Sequence, residues 1–307
     1  MNKLSLTSAS KLGAITLVFA LGAISNLRAD NTFTSLDFPG SIATQAWGIT
    51  LNGDIVGFYT SSDKAMHGFL RSRGQWASID YPGAMYTSIS GISPRGDIIG
   101  DYAVTLNGSG PHHGYVLDTD GNFTTIDYPG ATSTFAVGMN SHGDILGYYL
   151  LNDTVSHMFV MTADPFVAGG QFKDLAGCPE ATNIGPLAIT GNEIVGLCVI
   201  GGTTHAFLYS DGQYLISDSV PGATYTNAVG INTRGEIVGR YILNGVTHAY
   251  LRSGGNFTSY DAPGATFTGF TAISSTGAIV GRWRDASNVF HGFLLSGFQT
   301  ACAVPTQ

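Results

Sequence analysis

The chain has 307 residues, of which 44% are hydrophobic, so it can bury a sizeable core and does not read as disordered. Only 11% of residues are charged, 13 basic against 21 acidic for a net charge of −8, which argues against salt-laced helices, coiled coils and a nucleic-acid partner. The 42 Gly, 17 Phe and 14 Tyr favour short strands joined by tight turns.

Lys3 and Lys11 precede an apolar run from Leu12 to Ile24, followed by Ser25-Asn26-Leu27-Arg28-Ala29. A basic start, a short apolar stretch and a small residue before the break predict a signal peptide over residues 1–29, cleaved after Ala29 or alternatively after Ser25. The run is shorter than the roughly 20 residues of a membrane-spanning helix, and no later segment is apolar enough for one. The mature chain is therefore expected to be secreted, extracellular or periplasmic, without membrane insertion. Such a compartment permits a bond between Cys178 and Cys198, the alternative being buried free thiols. The spacing of Cys178, Cys198 and Cys302 fits no zinc pattern.

Residues 30–298 repeat one unit. Copies start at Phe33, Trp76, Phe123, Phe172, Tyr214 and Phe257, each with an aromatic start, Asp-x-Pro-Gly-Ala, Gly-Asp-Ile-Val-Gly and His-Gly-Phe or variants of these. A period of roughly 40–50 residues points to propellers or arrays, and the short alternating segments read as strands. In the first copy strand A is Ala46–Thr50, strand B Asp54–Tyr59 and strand C His67–Ser72; strand D, Trp76–Asp80, opens the next copy. Four strands in about 45 residues make one blade. The expected fold is all-β, a six-bladed β-propeller. The N-terminal strand, Phe33–Asp37, would complete the last blade and remove the exposed edge. Residues 299–307 remain as a C-terminal tail that competes for the same slot. Strand-B glycines Gly57, Gly100, Gly147, Gly239 and Gly281 are expected to let neighbouring blades approach closely.

The turns fix a register. Arg73-Gly74 forms a two-residue hairpin, so Ser72 faces Gln75 and His67 faces Asp80; Asp211-Gly212 and Gly254-Gly255 do the same for His205 with Asp218 and His248 with Asp261. His113 with Asp127 fits with one more loop residue, and closure would set His291 opposite Asp37. These His–Asp pairs read as structural staples, because one residue type at one repeated position is a scaffold feature more than a set of catalysts. The fourth copy has no Asp at the pairing position and carries an insertion, Ala163–Gly170.

The units resemble the extracellular HAF repeats, whose His-Ala-Phe tripeptide stands literally at His205-Ala206-Phe207. The other copies read His67-Gly68-Phe69, His113-Gly114-Tyr115, His157-Met158-Phe159, His248-Ala249-Tyr250 and His291-Gly292-Phe293. The resemblance covers residues 33–295 and implies a secreted repeat-built β-protein without implying catalytic residues. The His–Asp staple is also similar in kind to that of WD40 blades, although the Trp-Asp dipeptide is missing.

In such a propeller the D–A and B–C loops share one face, and the B–C loops vary most, which makes that face the expected site. Most acids belong to staples or turns. Asp63, Asp101, Asp153 and Asp285 remain on the candidate face, with Glu180. The residue after the strand-B Gly varies as Phe58, Asp101, Tyr148, Leu197, Arg240 and Arg282. Arg240 and Arg282 with Tyr148 would suit a carboxylate or sulfate if they converge on the channel, the competing reading being a solvated strand end. Trp47 and Trp283 offer rings for a sugar or for the core. No nucleophile elbow, metal motif or phosphate loop is present. A pair of carboxylates drawn from the four Asp, or His112 or Tyr148 as a base, would be needed for a hydrolase or lyase. The sequence favours a non-catalytic protein without cofactor or metal, binding a polysaccharide or cell-envelope component. The alternatives are a polysaccharide hydrolase or lyase, or a structural protein of a surface assembly.

Overall fold

The computed structural model describes residues 25–26, 32–152, 155–162, 170–216 and 220–297. Most of the expected signal peptide, the 299–307 tail, Cys302, Asp153, Asp218 and most of the fourth-copy insertion therefore lie outside the described residues. Within them the regular structure is β-strand, apart from one 3-10 turn at Leu106–Gly108.

The strands follow one another as antiparallel sets of four. The first set runs Ala43–Ile49, Ile55–Thr60, Met66–Ser72 and Gln75–Ile79, here A to D. Strand A starts at Ala43 rather than Ala46 because Thr44 and Gln45 already pair with Tyr59 and Phe58. Further A strands are Tyr86–Ile92, Ser133–Met139, Asn183–Thr190, Tyr225–Ile231 and Phe267–Ile273. The set that begins at Phe267 takes its outer strand from the other end of the chain: Thr32–Leu36 pairs antiparallel with Phe290–Ser296, Leu36 facing Gly292. Ser25–Asn26 lies parallel against the outer strand Asn256–Tyr260.

Every A strand slips register once against its B strand, so that Trp47, Ser90, Val137, Leu187, Val229 and Thr271 stand out as bulges. A bulge re-aims a side chain; here all six line one cavity of about 270 Å³ between the A strands. The bulge also explains the strand-B glycines. A Cβ at Gly57, Gly100 or Gly239 would sit 2.0, 1.9 or 2.0 Å from the carbonyl of Gln45, Ser88 or Asn227. The close approach is thus to strand A of the same sheet, not to a neighbouring blade as the sequence suggested.

The third residue of each His-x-aromatic tripeptide fills the space between sheets. Phe69, Tyr115, Phe159, Phe207, Tyr250 and Phe293 are buried, and the Tyr115 and Tyr250 hydroxyls donate to the Ser88 and Asn227 carbonyls at 3.1 and 2.9 Å. Consecutive sheets pack on one another. The sheet of Phe267 meets that of Ala43: Thr271 Oγ1 donates to the Ala46 carbonyl at 2.8 Å, and Val280 shares a core with Ala46, Ile55 and Phe69.

A second aromatic layer joins consecutive repeats. In three copies the aromatic residue before Pro-Gly stacks on a strand-B Tyr of the following set, Phe38 on Tyr59 at 3.8 Å, Tyr81 on Tyr102 and Tyr128 on Tyr149 at 3.6 Å. The strand-B Tyr also stacks on the His: Tyr59–His67, Tyr102–His113 and Tyr241–His248 lie 5.1, 5.2 and 5.1 Å apart. His Nδ1 reaches the Asp of strand D at 2.7 Å for His67–Asp80, 2.9 Å for His113–Asp127, 2.9 Å for His248–Asp261 and 2.8 Å for His291–Asp37.

The fourth copy is built differently at this position. Cys178, which precedes Pro179, and Cys198, which faces His205, occupy the places of the stacked pair. Both are buried free thiols in one cluster, in hydrogen-bond contact, and burial raises the pKa of each. Asp174 accepts from the Tyr128 and Tyr149 hydroxyls at 3.0 and 3.3 Å, a role held elsewhere by the Ser or Thr two residues before the staple Asp, as with Ser78 and Thr125.

Candidate functional site

The six positions after the strand-B Gly lie directly across from the third residue of strand A: Phe58 from Gln45, Asp101 from Ser88, Tyr148 from Phe135, Leu197 from Gly185, Arg240 from Asn227 and Arg282 from Gly269. They sit between the bulge residues and the loop face, next to the first residues of the A strands. Two different environments result.

The first gathers the arginines. The Arg240 guanidinium carbon lies 5.5 Å from the Tyr225 ring centre and 5.6 Å from that of Phe267. That of Arg282 lies 5.5 Å from Phe267, 5.5 Å from Phe290 and 5.2 Å from Trp47. The two cations thus share the Phe267 ring. Space for this comes from Gly269, where a Cβ would stand 3.3 Å from the Phe267 ring and 3.5 Å from the Arg240 side chain. Arg240 donates from Nη2 to the Tyr225 hydroxyl at 3.3 Å, and Arg282 donates from Nη1 to Gln45 Oε1. Arg282 Nε is shut off from solvent with no hydrogen-bond partner. Burial, and next the Arg240 charge, bring the Arg282 pKa down to about 10, so it remains a cation at neutral pH. Trp47 links this cluster to the cavity, which its ring also lines, and stacks on Phe58 at 6.1 Å.

The second environment is acidic and closed. Asp101 is buried at 6% exposure, and His112 Nδ1 lies 2.7 Å from its carboxylate. His112 Nε2 donates to the Gly108 carbonyl at 2.8 Å. A carbonyl only accepts, so Nε2 keeps its proton and offers no lone pair to a substrate. Burial raises the Asp101 pKa, and the Asp101 hydrogen bond raises that of His112. Tyr86 is edge-on to His112 at 5.2 Å, its hydroxyl pKa pushed up to about 12 by burial and then by Asp101. Tyr148 stacks on Phe135 at 4.5 Å, and burial also raises its pKa.

Two further acids of the predicted face, Asp63 and Asp285, are held by amides of their own loops. Asp63 accepts from the Ala65 amide at 3.2 Å and from Ser61 Oγ; these bonds, Ser61 first, lower its pKa. Asp285 accepts from the Ser287 and Val289 amides, both at 2.8 Å. Trp283 stacks on His291 at 4.6 Å, in the structural layer. Among the described residues no group of three or more His, Cys, Asp and Glu side chains is placed to hold a metal ion, and no helix is long and apolar enough to cross a membrane.

Sequence reasoning selected Arg240, Arg282, Tyr148 and Asp101 but missed Tyr225, Phe267, Phe290 and Gln45, which build the arginine cluster. A signal was present: the first strand-A residue reads Ala43, Tyr86, Ser133, Asn183, Tyr225 and Phe267, varying as freely as the strand-B position it neighbours.

No family model and no curated protein match the chain. Solved structures do, at low identity. AofleA from Arthrobotrys oligospora is 12% identical with a TM-score of 0.57, over 91% of this chain and 92% of that one. The fucose-specific lectin from Aleuria aurantia is 10% identical with a TM-score of 0.53, over 86% and 100%. The β-propeller domain of the Trilobed protease from Pyrococcus furiosus is 9% identical with a TM-score of 0.51, over 85% and 95%. The all-β architecture is that of the β-propellers.

Proposed function

We propose that the protein is an exported, non-catalytic β-propeller of six four-stranded blades, closed by its N-terminal strand. It binds a glycan or another cell-envelope component at the D–A/B–C loop end of its channel. One observation carries this reading: the rings of Tyr225, Phe267, Phe290 and Trp47 gather with Arg240 and Arg282 beside the cavity. Aromatic rings offer flat apolar faces to the C–H side of a sugar, and guanidinium edges offer directed donors to its oxygens. The shared fold of the fucose-specific lectin supports the same reading. A hydrolase or lyase is less well served. Asp63 and Asp285 are engaged by their own loops, Asp101 is buried against His112, and His112 Nε2 holds its proton.

The test is a polysaccharide panel read both for melting temperature and for newly released sugar ends. A shift without release is the expected result. Release of ends would replace the binding reading with an enzymatic one, and no response to any member of a broad panel would overturn it.

A further inference from the structure

The arginine cluster has a charge problem that its own residues leave unsolved. The Arg240 charge adds to burial in lowering the tendency of Arg282 to stay charged, yet among the described residues neither arginine has a carboxylate partner. The protein is not short of acids, with 21 Asp and Glu, and elsewhere it pairs arginine with them: Arg234 Nε donates to Glu236 at 3.0 Å, and Arg95 lies 3.6 Å from Asp97. Asp101, the buried acid on an equivalent strand-B position, is already joined to His112. Two guanidiniums held on one ring, one with a buried unpartnered Nε, are costly unless an anion completes them. Their aromatic contacts hold the planes and leave most N–H donors unclaimed, the geometry that suits an oxyanion.

We infer that the Arg240–Arg282 cluster takes a sugar bearing an oxyanion, a uronate carboxylate or a sulfate ester, with the sugar ring against the neighbouring aromatic faces. This rests on the glycan reading above and narrows it to acidic polysaccharides. The carboxylate or sulfate would sit between the two guanidiniums, and neutral sugars would leave both cations uncompensated. Binding should weaken with salt, since part of the interaction is between net charges.

The experiment uses the full chain in calorimetric titrations with matched pairs: polygalacturonate and its methyl ester, chondroitin sulfate and its desulfated form, and sodium sulfate alone. Parallel titrations use Arg240→Gln and Arg282→Lys. The expected result is that one acidic member binds at least about tenfold more tightly than its neutralised partner, and that Arg240→Gln loses at least about tenfold, the scale of a charge-assisted hydrogen bond. Which pair discriminates tells carboxylate from sulfate. Arg240→Gln keeps the test decisive if Arg282→Lys does not fold. Equal binding of charged and neutral partners would overturn the inference while leaving glycan binding intact. Binding of free sulfate as tight as any polymer would overturn it as well, reducing the site to an anion site. If nothing binds, the glycan reading itself falls, and this inference with it.

Discussion

Tyr241, His248 and Asp261 form one chain of contacts whose links differ in worth. The Tyr241 ring is buried, stacks on His248 at 5.1 Å and donates or accepts through its hydroxyl to Ser259 at 2.8 Å. The Asp261 side chain is 54% exposed, 2.9 Å from His248. An ion pair open to water is worth about 1 kcal/mol or less, whereas removing a buried aromatic side chain costs about 3–5 kcal/mol. Tyr241→Ala should therefore lower the urea midpoint far more than Asp261→Ala, and equal losses would show the staple to be the stronger link. The His–Asp partners were legible in the sequence because Arg73-Gly74 and Gly254-Gly255 adopt the positive φ of tight hairpins and so fix the register. The stacked pairs were not legible, because Tyr81 and Tyr102 meet across a junction between repeats. The same reason hides Phe267 as a partner of Arg240, since it comes from the following sheet, whereas Tyr225 stands on the strand paired with that of Arg240 and in sequence is an ordinary strand aromatic.

Strand A with its bulge is the unit that shapes both the channel and the site. The extra residue turns Trp47 toward the cavity, where it also supports Arg282, and compresses the pairing against strand B. Periodicity cannot report a bulge, because one added residue shifts the alternation without changing composition. That is why the sequence alone points the strand-B glycines toward a neighbouring blade rather than toward strand A. Gly239→Ala tests the revised account. Its Cβ would lie 2.0 Å from the Asn227 carbonyl, so the strand pair must open, and the variant should lose several kcal/mol or fail to accumulate, about the scale of severe core disruption. Gly212 in the Asp211-Gly212 turn has φ of 80° and open space around it, so Gly212→Ala should cost only about 1 kcal/mol, from backbone strain alone. Thermal melts of the two variants decide between them; similar losses would remove the bulge from the explanation.

At the scale of the whole molecule, the last sheet depends on a strand from the first part of the chain. Deleting residues 32–37 would strip Phe290–Ser296 of its outer partner, remove Asp37 from His291 and take Leu36 out of the core it shares with Ala46 and Val280. The expected outcome is a less cooperative urea transition and aggregation through the freed edge, measured by unfolding and size-exclusion profiles. Joining the same segment to the C-terminus through a flexible linker should restore the parent midpoint. A deletion variant as stable as the parent would show that the strand is dispensable.

The pairing of Asp37 with His291 spans 254 residues, and that separation also sets an order in time. The strand made early is the one the last sheet needs, so it must wait, with an unpaired edge, until nearly the entire chain has been delivered. Neighbouring sheets can assemble locally as they emerge, whereas this final step closes a very long loop and is expected to be the slow one. Over that interval the molecule is an almost finished array with one open seam. Its exposure to proteases and to other copies of itself is governed by how quickly Thr32–Leu36 finds Phe290–Ser296.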